Sequence, residues 1–128
     1  TVPKVTVTLR KSYGGAHDVM SCKQLRGDFN YAWPTAQIAV MGAKGAIEVL
    51  YGKEVAAITD PEAKAKFIAE KEEEYNHAFA NPYKAASYGY IDDVIEPRNT
   101  RFRVIRAFQS LQTKRVTNPM KKHSNIPL

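Results

Sequence analysis

The chain has 128 residues, 44% of them hydrophobic and 25% charged, which is room for one modest domain and too apolar for disorder over its whole length. Its apolar runs fall far short of the ~20 residues that cross a bilayer, and a single cysteine, Cys22, allows no intrachain disulfide. Three histidines and one cysteine also fall short of a structural zinc set, and the +6 charge is concentrated late, with no acid after Glu96.

Val5-Thr6-Val7-Thr8-Leu9 alternates β-branched residues and reads as a strand. It runs on through Arg10, Lys11, Ser12 and Tyr13 into Gly14-Gly15, where glycines permit backbone angles that a Cβ resists. A short helix is expected from Ala16 to Met20, a turn at Gly27-Asp28, and a strand from Phe29 to Trp33 closed by Pro34. Ile38 to Met41 reads as a third strand, followed by a small-residue helix from Gly42 to Leu50. Thr59-Asp60-Pro61-Glu62 combines a capping side chain, a first-turn proline and an early acid, so a helix should run to about Phe79. Its Glu70–Glu74 stretch should be solvated, with Phe67, Ile68, Tyr75 and Phe79 turned to the body. Asn81-Pro82 stops that helix, Tyr83 to Tyr88 makes a turn or two, and Ile91 to Ile95 is a short strand. Asn99 or Thr100 then caps a last helix whose Val104, Ile105, Phe108 and Leu111 fall at helical spacing. After Lys114 periodicity fades, and residues 113–128 read as an extended tail. Alternating strands and helices, without repeats, place the chain in the mixed α/β class.

Tyr13-Gly14-Gly15-Ala16-His17-Asp18, between strand and helix, holds the most chemistry. Successive N–H groups at a helix start attract negative charge and can form an oxyanion hole; the same Gly-Gly also serves as a plain tight turn. It is neither G-x-G-x-x-G nor a P-loop, so nucleotide binding does not follow. His17 and Asp18 are acid–base residue types, but adjacent helical side chains diverge and no nucleophile signature accompanies them. Cys22 reads as a small buried residue rather than a reactive thiol. Trp33-Pro34 reads as core and strand end, and Asp92-Asp93 as a carboxylate pair or, more commonly, as a turn or an ion pair at a strand edge. The basic segment after Asn99 fits a solvated face or an acidic partner, and no nucleic-acid signature accompanies it.

Longer stretches carry a resemblance. Val2-Pro3-Lys4-Val5-Thr6-Val7, Lys11-Ser12-Tyr13-Gly14-Gly15-Ala16, Asn30-Tyr31-Ala32-Trp33-Pro34-Thr35-Ala36, Val40-Met41-Gly42-Ala43-Lys44-Gly45-Ala46, Gly89-Tyr90-Ile91-Asp92-Asp93-Val94-Ile95 and Asn125-Ile126-Pro127-Leu128 resemble the carboxyltransferase β subunits of biotin-dependent acyl-CoA carboxylases. Within that family the chain looks most like propionyl-CoA carboxylase β chains and methylmalonyl-CoA decarboxylase α chains. The resemblance covers nearly all of residues 1–128, least distinctively from Lys53 to Glu74, and implies a crotonase-like fold of which this is the terminal part of the C-terminal half. A chain opening on Thr1 rather than Met fits a fragment or a processed product, and such a piece is expected to be inactive alone.

The resemblance further implies carboxyl transfer between carboxybiotin and propionyl-CoA or methylmalonyl-CoA. The backbone N–H groups of Gly15 and Ala16 would form the hole for the biotin ureido oxygen, with Tyr13 and Gly14 beside it. Asp18 would line the acyl pocket with His17, where relatives often carry a tyrosine. No metal is implied. Biotin would arrive on a separate carrier, since Val40-Met41-Gly42-Ala43-Lys44 is not the Ala-Met-Lys-Met attachment turn. Implied partners are the N-terminal half of the same subunit type in a homo-oligomer, together with biotin carrier and biotin carboxylase subunits, in the cytoplasm. A sodium-pumping decarboxylase, with a membrane subunit in place of the carboxylase, shares the chemistry. A non-enzymatic basic binding module is the alternative of another class.

Overall fold

A computed structural model describes residues 2–117. Five short strands form two parallel sheets. The first has the order β1 (Val5–Thr8), β3 (Phe29–Ala32), β5 (Asp93–Val94), and the second pairs β2 (Lys11–Tyr13) with β4 (Gln37–Ala39). Five helices accompany them: α1 (Gly14–Val19), α2 (Ala43–Ala57), α3 (Pro61–Ala78), α4 (Pro82–Ser87) and α5 (Thr100–Ser110). The α/β class expected from the alternation is the one observed.

The expected first strand, continuing unbroken to Tyr13, is in fact two. Val5 pairs with Phe29 and Thr8 with Ala32, but beyond Leu9-Arg10 the chain joins the second sheet, where Lys11 pairs with Gln37 and Tyr13 with Ala39. The Trp33–Ala36 turn is stitched across this step. Trp33 N–H donates to Thr8 O at 2.9 Å, Thr35 Oγ1 to Leu9 O at 3.0 Å and Gln37 N–H to Arg10 O at 2.6 Å. β4 therefore starts at Gln37 and ends before Val40 and Met41, which are exposed.

Alternation along β3 divides the core. Ala32 packs with Ala36, Ile38, Ala85 and Ile91. Tyr31 instead packs with Ile95 and Ala107, flanked by Val5, Val7, Phe29 and Trp33. Burial pushes the Tyr31 phenol above its ordinary range, against the pull of the Arg103 guanidinium lying over its ring. Cys22 is buried, at 1% exposure, as expected. Asp92 and Asp93 form ion pairs with Lys23 and Arg103, so they are strand-edge pairs rather than a joint carboxylate site.

The helices begin where their caps dictate. Asp60 accepts from Glu62 N–H and Ala63 N–H at the start of α3, and Asn81 Oδ1 accepts from Lys84 N–H at the start of α4. Neither Asn99 nor another residue gives α5 a side-chain cap, contrary to expectation. Instead Thr100 Oγ1 accepts from Trp33 Nε1–H at 2.8 Å, tying the first turn of α5 to the end of β3. The buried stripe of α5 also differs from the expected one. Ala107 is buried and Val104 and Leu111 are half-buried, whereas Ile105 and Phe108 stay exposed alongside Phe102. Two apolar stripes share this helix, and the smaller side chains face the sheet.

α2 runs seven residues past the expected end at Leu50. A Cβ at Gly52 would meet nothing within 4 Å, so the glycine costs only helix propensity, about 1 kcal/mol. Packing on α3 outweighs that cost: Tyr51 meets Phe67 edge-on at 6.1 Å, and Lys71 lies over both rings. The expected 113–128 tail is described only as far as residue 117, without regular structure; residues 118–128 lie outside the described residues.

Candidate active site

The site grows out of the end of β2. Tyr13 is extended (φ −121°, ψ 137°) and precedes a helix that opens at Gly14 rather than at the expected Ala16. Gly14 has φ +53°, and a Cβ there would come within 2.9 Å of the Val40 carbonyl oxygen. Both facts demand glycine. Gly15 is required by neither, because a Cβ on it would point into open space. The N–H groups of the first turn have no partner within the helix, and Gly15 and Ala16 are exposed there. A short helix entered through a left-handed glycine thus presents free donors to open space.

Tyr13 is fixed by its hydroxyl, which donates to Gln37 Oε1 at 2.5 Å, and by its ring against Gly42. His17 Nδ1 is 2.9 Å from Ser12 Oγ, and Cys22 Sγ lies 3.6 Å from Asp18 Oδ1. The divergence expected of adjacent His17 and Asp18 is therefore incomplete. One donor atom from each, with the sulfur of Cys22, falls within 4.8 Å of the others, because the chain folds back after α1 and brings Cys22 beneath both.

A cleft of about 480 Å³ adjoins this turn. Gly14, His17 and Asp18 line it, together with Leu50 of α2 and with Phe79 and Tyr88, the residues that close α3 and α4. Tyr13, Gly15 and Ala16 are not in its wall, so the sequence-expected set divides between the cleft and the exposed helix start beside it. Phe79, expected to face the body, is 53% exposed and belongs to the cleft rim. The reading from sequence missed Leu50, Tyr88, Tyr90 and Lys84, whose ammonium lies 4.9 Å from the Tyr88 ring centroid. The signal was present: α4 and the turn after it carry Tyr83, Tyr88 and Tyr90 close together, and all three stay exposed.

Residues 1–126 match the family defined by the carboxyl transferase domain. The chain belongs to that family. Its α/β architecture is the crotonase-like fold of these enzymes, as expected. It is 61% identical over its full length to the propionyl-CoA carboxylase β chain of Cereibacter sphaeroides, covering 24% of that protein. It is 51% identical over its full length to the methylmalonyl-CoA decarboxylase α subunit of Propionigenium modestum, again covering 24%. Among solved structures it superimposes on transcarboxylase 12S with a TM-score of 0.87 and 52% identity, covering all of this chain and 24% of that one. That protein was solved as a hexamer with methylmalonyl-coenzyme A and methylmalonic acid bound. The chain spans about a quarter of the length of these relatives. Among the described residues, no helix is long and apolar enough to cross a membrane.

Proposed function

We propose that this chain supplies the biotin-side part of a carboxyltransferase site that moves a carboxyl group between carboxybiotin and propionyl-CoA or methylmalonyl-CoA. The observation that carries the reading is the first turn of α1: a left-handed Gly14, open space where a Gly15 side chain would lie, and unpaired N–H groups at Gly15 and Ala16. Biotin, brought by a separate carrier, supplies the carboxyl group, and its ureido oxygen suits exposed donors of this kind. Gly15 and Ala16 offer backbone donors to that oxygen, reinforced by the partial positive charge at the helix start. Tyr13 and Gly14 set the angle of the turn. His17 and Asp18 line the neighbouring cleft, where they would bound the acyl group. No protein side chain need act as base, which fits a site without a nucleophile–base pair.

The acyl-CoA side of the reaction then belongs to a second, N-terminal half of the same subunit type, in a cytoplasmic homo-oligomer. A biotin carrier and a biotin carboxylase would be further partners. The resemblance to the Propionigenium modestum decarboxylase subunit supports a second coupling of the same transfer, to a membrane decarboxylase in place of the carboxylase. The basic-module alternative is weakened by Arg103 and Lys114, two cations of that segment already paired with Asp93 and Asp28.

Ala16→Pro in a full-length subunit carrying this segment tests the assignment. The third helical position has no intrahelical N–H bond to lose, so proline removes a donor while sparing the helix. Carboxyl transfer should fall by about two to three orders of magnitude, roughly 2.7–4 kcal/mol. Ala16→Gly keeps the donor and should cost far less, and thermal transitions should show both proteins folded. Near-normal transfer by a folded Ala16→Pro enzyme would leave Gly14-Gly15 as a plain turn.

A further inference from the structure

The proposed transfer uses His17 and Asp18 only as walls of the cleft and gives Cys22, which lies against them, no role. It joins a nitrogen, an oxygen and a sulfur within 4.8 Å of one another. Only modest closure separates that spread from the ligand spacing around a tetrahedral ion with bonds of about 2.0–2.3 Å. Asp18 is exposed, so its carboxylate has the freedom to make that adjustment, while Cys22 is buried beneath it.

We propose that His17, Asp18 and Cys22 form a half-open site for a borderline-soft divalent cation such as Zn2+. Thiolate, imidazole and carboxylate together select such an ion over the hard cations Mg2+ and Ca2+, which take oxygen ligands. This is a three-ligand site with a position open to water, not the four-ligand structural zinc set that the composition excludes. Ser12 Oγ, 2.9 Å from His17 Nδ1, orients the ring. When it accepts from Nδ1–H it fixes the tautomer whose lone pair is on Nε2. Binding exchanges the Cys22 S–H bond for a metal–sulfur bond and releases the proton to solvent, so affinity weakens as pH falls. His17 and Asp18 also line the cleft, so the cation would occupy its wall. That consequence rests on the function proposed above; the binding itself does not.

The test is titration of the 128-residue chain with Zn2+ by calorimetry and with Co2+ by absorption. A thiolate-to-cobalt charge-transfer band in the near ultraviolet reports Cys22 directly, because the chain has no other cysteine. One strong site per chain is expected, with that band. Cys22→Ser should abolish the band and weaken Zn2+ binding by more than the roughly 10–100-fold that loss of an outer-shell partner costs. His17→Gln, at a half-buried helix position, checks the assignment without disturbing the core and should weaken binding similarly. His77→Gln, on the acidic face of α3, should leave it unchanged. Strong Zn2+ binding that survives His17→Gln, or Co2+ binding without the band, would overturn the proposal, as would the absence of a strong site.

Discussion

Asp28 shows how one side chain can hold distant parts of this chain together. Its Oδ2 accepts from Lys4 N–H at 2.7 Å and from Lys114 Nζ at 2.7 Å, joining the start of β1 to the segment after α5. The Lys114 hydrogen bond, with the Lys4 N–H behind it, outweighs burial and holds the Asp28 carboxyl below the usual carboxylate range. A carboxylate depressed by folding stabilises the protein above its unfolded-state pKa, and that contribution is lost as pH falls through the lowered value. Lys114→Met should therefore destabilise the chain near neutral pH by on the order of 1 kcal/mol, and the gap to the parent should close in acid. Urea denaturation of both proteins across that range measures it; a gap independent of pH would show that Lys114 acts by packing alone. Neither partner was singled out from sequence, because nothing local marks two residues 86 positions apart as neighbours. Gly14 was legible, since a glycine pair after a strand signals a turn. Which glycine of the two is indispensable was not, because the positive φ and the approach of Val40 O that single out Gly14 arise only in the fold.

Among the elements, those with strong local signals matched expectation. Asp60-Pro61 opened α3 and Asn81-Pro82 divided α3 from α4, since caps and prolines act within one turn. The departures arose where distant contacts decide. β2 split from β1 because β4 offered a second pairing partner, and α2 passed Leu50 because α3 supports its second half. The expected stripe of α5 mixed its two faces: Val104 and Leu111 are half-buried, but Ile105 and Phe108 belong to the exposed stripe with Phe102, and the small Ala107 between them is the buried residue. The contact that orients α5 is the Trp33–Thr100 hydrogen bond. Thr100→Val conserves shape but leaves a half-buried indole N–H without its acceptor, at a cost of about 1–3 kcal/mol. Trp33 is the sole tryptophan, so its fluorescence should change with the melting temperature, and Thr100→Ser should restore both. An unchanged spectrum in Thr100→Val would mean that α5 is held by Ala107 packing without this bond.

At the scale of the molecule, the large exposed side chains are the informative feature. Val40, Val49, Leu50, Phe79, Phe102 and Phe108 are each at least 44% exposed, and large apolar side chains left to water in such number favour a covering partner. The strands are equally unguarded, with two small parallel sheets whose outer edges are open among the described residues. The 128-residue chain should therefore self-associate as its concentration rises, and light scattering across a dilution series should show mass increasing with concentration. A species monomeric throughout would show that these faces tolerate water. The step between the two sheets has a different consequence, for how such a chain can vary. Leu9-Arg10 crosses it in two residues and Trp33–Ala36 in four, and the two crossings are bonded to each other. A residue inserted into either connector would have to bulge out, breaking its bonds to the other, or shift the register of the next strand and turn its side chains to the opposite face. Such a shift would carry Tyr13 away from Gln37, and with it the angle at which Gly14 leaves the sheet. Exchange of side chains at constant length is thus the change this region absorbs most readily, and the two connectors act as one spacer.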